Sequence, residues 1–161
     1  MDARLISVAG QFSVGTNLVP RALHGVSDEE LHRNPSPAVA PMLWVAGHLT
    51  LFRLRTVNLL GGAHDPAALA PLFDTATHFD PAVSYPTPAD LLAQWATMTD
   101  DLTVRLEAVQ PEALMAPPRF RAPSTDGTLA GALFLFSFHE AYHVGQLGYL
   151  RRWLGHSPLL G

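Results

Sequence analysis

Three histidines are set apart by residue type and spacing. His139 and His143 form an i, i+4 pair, so one helical face would carry both rings about one turn apart. His48 lies 91 residues earlier, in another apolar run with helical periodicity. All three fall on apolar stripes, His48 beside Val45 and Leu49 and the pair beside Phe136, Leu147 and Leu150. Imidazoles buried among such neighbours need partners for their nitrogens. A divalent metal satisfies one nitrogen per ring, and neutral imidazole suits zinc, nickel, iron or copper. Three nitrogen ligands leave at least one position open, the mark of a catalytic rather than a structural site. The competing reading is a core histidine pair hydrogen-bonded to backbone or to Tyr142. His24, His32, His64, His78 and His156 fall at helix ends or in connections and read as exposed or capping imidazoles.

The run His139-Glu140-Ala141-Tyr142-His143 also matches H-E-x-x-H, in which the glutamate of a zinc protease is the general base. That reading is weak. No Asp or Glu follows Glu140, and the extended motif wants Gly and His where Gln146 and Tyr149 stand.

Positioning these residues requires helices, and four segments have helical periodicity with no convincing strand alternation. The first runs from roughly Asp2 to Leu23, striped by Leu5, Val8, Phe12, Val19 and Ala22. The second, roughly Val39 to Leu60, carries Met42, Val45, His48, Leu49, Phe52 and Leu59 and stops at Gly61-Gly62. The third opens at Thr87-Pro88-Ala89-Asp90 and ends before Pro111, with Leu91, Trp95, Met98, Leu102, Leu106 and Val109 inward. The fourth, roughly Thr128 to Leu154, carries the histidine pair and is closed by Gly155. Pro-rich connections span 33–38, 61–86 and 116–126, with short helical turns expected at Ser27–His32 and Pro66–Phe73. The prolines are expected at helix starts or in connections rather than in helix interiors. The long connection from the second to the third helix is able to cross a bundle end to end, which would leave those two helices parallel.

Composition excludes several classes. At 161 residues and 48% apolar, the chain reads as one domain, 1–161, with a single core. A net charge of −4 with 10 Lys and Arg argues against a nucleic-acid partner. With no cysteine there is no disulfide, thiolate site or cysteine nucleophile. The start Met1-Asp2-Ala3-Arg4 lacks a signal-peptide pattern, and the apolar stretch Leu129 to Phe138 is about half a membrane span. The expectation is a soluble, cytoplasmic protein with no membrane partner.

The run from His139 through Gln146 to Arg152 resembles the last helix of the DinB/YfiT-like superfamily, and Trp44-Val45-Ala46-Gly47-His48-Leu49 resembles its second. The resemblance extends over essentially the whole chain. It implies an all-α, four-helix bundle of up-down-down-up topology, often a homodimer, with His48, His139 and His143 binding a divalent metal, commonly nickel or zinc. Gln146, one turn further along that face, would stand behind the ligands, and Glu140 would flank them as a weak catalytic candidate. Relatives include metal-dependent hydrolases and enzymes that use low-molecular-weight thiols, and fold does not choose between them. The expected function is therefore a metal-dependent hydrolase or thiol-dependent transferase acting on a small molecule. Arg53, Arg55 and Arg121 are candidate anchors for an anionic substrate, each set against a solvated or salt-bridged surface role. The alternative is a non-enzymatic, stress-response metal-binding bundle. Homodimerisation is also suggested by the surplus apolar surface at Phe134 and Phe138.

Overall fold

The computed structural model describes residues 1–75 and 77–160. Among these the chain is all helical with no strand, as the periodicity predicts. After a 3-10 turn at Ala3–Leu5 come α1 (Ile6–Leu23), α2 (Asp28–Leu31), α3 (Met42–Leu59), α4 (Ala70–Phe73), α5 (Pro88–Ala108), α6 (Pro111–Met115) and α7 (Leu129–Trp153). No described helix is long and apolar enough to cross a membrane.

The helix ends follow local chemistry. Thr87 accepts from the Asp90 amide and Asp90 reaches back to the Thr87 amide, while Pro88 occupies the first turn, where no intrahelical N–H is needed. The Thr128 hydroxyl accepts from the Gly131 amide at the start of α7. Gly61 and Gly155, at φ +90° and +92°, leave α3 and α7 in the left-handed conformation that favours glycine. The turns expected at Ser27–His32 and Pro66–Phe73 contain α2 and α4.

Three features differ from the sequence expectation. Val39 and Ala40 lie outside α3, whose cap is Pro41. Residues 111–115 form α6, for which Pro111 at a first-turn position was the available signal. Pro20 lies inside α1. Its missing N–H leaves the Thr16 carbonyl without its helical donor, and the Trp95 indole N–H donates to that oxygen at 3.4 Å. The proline is thus accommodated by a bond from α5.

The four long helices enclose one core. α1 packs on α7 and α5, and α3 packs on the same two helices. Along α1 and α7 the partners advance together, from Ser137 on Gln11 to Arg151 on the Ala22 carbonyl. Along α3 and α7 they run oppositely, with Phe52 near Phe136 and His48 near His143. The expected stripes of α1, α5 and α7 are inward, although Val109 is only partly buried. α3 departs most: every residue from Met42 to Leu51 is buried. It lies between α5 and α7 and is covered further by α4. Gly47 permits that cover, because a Cβ there would collide with the Phe73 ring.

Candidate metal centre

α3 and α7 bring the three predicted histidines together. Their spacing places His48 on α3 opposite the i, i+4 pair on α7, and the three Nε2 atoms converge. His48 Nε2 is 3.1 Å and His143 Nε2 is 3.0 Å from His139 Nε2. Two nitrogens each about 2.1 Å from one ion are separated by about 3.0 Å at a right angle and about 3.4 Å at the tetrahedral angle. The donor set and its spacing therefore fit a single divalent ion, and these histidines form a group with metal-holding geometry.

The outer nitrogens explain how the rings are aimed. His48 Nδ1 lies 2.6 Å from the Phe73 carbonyl, which can only accept, so Nδ1 carries the proton and Nε2 a lone pair. His143 Nδ1 lies 2.6 Å from Gln146 Oε1, with the same consequence. Gln146 thus stands behind a candidate ligand, one turn along α7. His139 Nδ1 is buried and has no partner among the described residues. Three converging Nε2 atoms therefore share at most one hydrogen, which His139 would supply. In the alternative tautomer of His139 that hydrogen sits on the unpartnered Nδ1. Either arrangement leaves lone pairs facing one another, and a cation would satisfy all three.

The surroundings keep the imidazoles neutral. Burial pushes the His48 pKa down to about 4, against the upward pull of the Phe73 carbonyl. Burial, then the neighbouring histidines, take His139 to about 3. His143 is also lowered by burial, with the Gln146 bond opposing. Aromatic rings supply that burial. Trp44 stacks on His48 at 5.0 Å between centroids, and Phe52 lies 4.5 Å from His48 and 4.2 Å from His139. Trp44 and Phe52 are four residues either side of His48, a spacing from which sequence could have assigned them to the site. The Phe73 carbonyl carried no such signal, since it comes from α4 across a loop.

Glu140 is placed differently from its expected role beside the histidines. Both its oxygens accept from Arg53, Oε2 from Nε at 2.9 Å and Oε1 from the terminal nitrogen. Arg53 also donates to the Phe12 carbonyl and to the hydroxyls of Thr16 and Thr99, and it lies over the Trp95 ring. Burial pushes the Glu140 carboxyl upward while Arg53 opposes the shift. The carboxylate is thus a buried structural partner with its oxygens already engaged. Arg53, expected at the surface or on a substrate, is instead 1% exposed.

Arg55 pairs with Asp74 through two bonds of 2.9 and 2.6 Å, which hold the Asp74 carboxyl well below its usual range. That pair ties α3 to the residue following Phe73. Arg121 is exposed in the connection before α7. None of the three candidate anchors lines the cavity beside His143. The remaining histidines lie away from the triad. His64 meets Asp101, His156 meets Glu30 and His32 bonds the Asp28 carbonyl.

The family model of the DinB superfamily matches residues 11–147, and the chain belongs to that superfamily. No curated protein in the comparison matches the chain.

Proposed function

We propose that this member of the DinB superfamily is a metal-dependent enzyme in which His48, His139 and His143 hold one divalent ion, nickel or zinc, through Nε2. The observation that carries the reading is the convergence of three Nε2 atoms that share at most one hydrogen. Bound there, a divalent ion would supply positive charge that acidifies water or a low-molecular-weight thiol at an open position. The chain's own contribution is positioning. The Phe73 carbonyl and Gln146 fix two ring orientations, and Trp44 and Phe52 keep water from the imidazole faces. With water as nucleophile the reaction is hydrolysis; with a thiol it is group transfer. The test is a screen of zinc- and nickel-loaded protein against neutral esters, amides and thiol–acceptor pairs. Turnover that disappears in His48→Ala supports the enzyme. No turnover by fully loaded protein favours the non-enzymatic metal-binding alternative.

We read the four long helices as an up-down-down-up bundle forming one domain over residues 1–161. The parallel run of α1 with α7 and the opposed run of α3 with α7 support it. We also infer a homodimer formed on the outer face of α1 and α7. Phe134 and Phe138 are 48% and 59% exposed there. Beside them a groove of about 840 Å³ is lined by Gly10 and Val14 of α1 and Ala141 and Gly145 of α7. Gly10 and Gly145 have open space where a Cβ would be. Helix-interior glycine costs roughly 0.5–1 kcal/mol relative to alanine, and nothing within the subunit offsets it at these positions. Close approach of a second subunit would.

A further inference from the structure

On the other side of α7, toward α3, lies a cavity of about 570 Å³. Its walls include Val39 before α3, Trp44 on α3, and Tyr142, His143, Gln146 and Tyr149 on α7. The volume lies within the roughly 300–1,000 Å³ typical of small-molecule sites. Three features define what would fit. Aromatic rings of Trp44, Tyr142 and Tyr149 share the wall with aliphatic side chains, and Tyr142 and Tyr149 are about 60% exposed and left uncovered by the fold. Among the described residues no Arg, Lys, Asp or Glu lines the cavity. Finally, Gln146 Oε1 is engaged by His143 Nδ1, while the Gln146 Nε2 amide has no protein partner among the described residues. The cavity lining therefore offers planar apolar surfaces and a neutral hydrogen-bond donor, with no Arg or Lys among the described residues to compensate an anion.

We propose that this cavity binds the uncharged, planar part of a small molecule whose carbonyl oxygen accepts from Gln146 Nε2, the class of aromatic amides, esters and ketones. Its ring would lie against the exposed Tyr149, where stacking and area burial favour it, with the buried Trp44 supplying only a small part of the wall. In the metal-free protein a carboxylate at the same place would lose hydration without gaining a charged partner, so the cavity discriminates against it. Arg53 and Arg55 do not reverse that preference, because Glu140 and Asp74 hold them. The inference rests on the metal-dependent reading for any reaction at the ligand, since His143 is shared by the triad and the cavity wall. Binding itself does not require the ion.

The test uses the full chain, ¹⁵N-labelled, with and without zinc, titrated with benzamide, methyl benzoate and benzoate. Saturable shifts of the Gln146 side-chain amide are expected with the two neutral probes and, in the zinc-free samples, binding of benzoate at least tenfold weaker. Tyr149→Ala, a change at an exposed ring, should weaken the neutral probes severalfold and leave helicity and zinc content intact. Tyr149→Phe should restore binding, because the ring is the contact. Benzoate binding to the zinc-free protein as tightly as benzamide, no saturable shift at Gln146, or indifference to Tyr149→Ala would each overturn the proposal. Zinc stoichiometry on the same samples separates the two readings. Neutral-probe binding in protein that takes up no zinc upholds the cavity and removes the metal site. Full zinc loading with no probe binding does the reverse.

Discussion

Arg53 and Glu140 form a buried, two-bond ion pair between α3 and α7, and Glu140 is the residue next to His139. Gly15 of α1 makes the space for it, because a Cβ there would collide with Glu140 Oε1. With side chains 1% and 6% exposed, neither charge can turn to water if its partner is removed. Glu140→Ala or Arg53→Met should therefore destabilise the fold by about 3–5 kcal/mol. Replacing both by apolar residues of similar volume should recover most of that loss. Urea midpoints of the single and double variants, at constant m, measure the difference. A single variant as stable as the parent would show that the pair is not buried as described.

Gln146 orients His143 rather than touching an ion. Gln146→Leu keeps the side chain's bulk and removes the acceptor for His143 Nδ1–H. Loss of such a supporting bond typically costs 10–100-fold in metal affinity. Competition with a chelator should read a weakening of about that size, with unchanged helicity. Equal affinity would mean the His143 ring is aimed by packing alone.

Burial sets the pH range. His48 and His139 sit at about 4 and about 3 instead of 6.5, so in the folded protein protons compete for Nε2 only in acid. With His143 lowered as well, the apparent metal affinity should hold below pH 6.5 and be lost as the pH falls to about 4. The metal-free fold loses stability in the same direction, beginning at higher pH. Between about pH 6.5 and 4 the unfolded chain binds protons that the folded chain refuses, so stability declines as pH falls through that window. Equilibrium dialysis and urea melts at several pH values check both. Metal release centred at pH 6.5 would contradict the buried, neutral triad.

The outer face of α1 and α7 should be a subunit contact. Light scattering of the parent is expected to give about twice 17.4 kDa, and Phe138→Glu to give the single-chain mass with unchanged helicity. A parent that stays at the single-chain mass across micromolar concentrations would reject the dimer.

Much of this was legible in the sequence, for local reasons. The caps at Thr87 and Thr128, the glycines at 61 and 155, and the stripes of α1, α5 and α7 act within a turn or two of chain. The triad was legible because His139 and His143 share a face by spacing, and His48 interrupts an apolar stripe. The features that escaped depend on distant partners. Pro20 is tolerated in α1 because Trp95 donates to Thr16, a contact across 79 residues. Arg53 looked like a surface cation because nothing near it in sequence announces Glu140, 87 residues away. Its burial follows from α3 being enclosed nearly all round, which a one-sided stripe understates. The Phe73 carbonyl, being backbone, has no side-chain signature at all.

The central claim is that three Nε2 atoms hold one ion, and metal stoichiometry on tag-free protein tests it most directly. Elemental analysis after loading and desalting should give one zinc or nickel per chain. His48→Ala, His139→Ala and His143→Ala should each bring the value near zero while circular dichroism stays helical, because two imidazoles alone bind too weakly to survive desalting. A folded variant lacking any one of these histidines that still retained a full equivalent of metal would contradict the assignment.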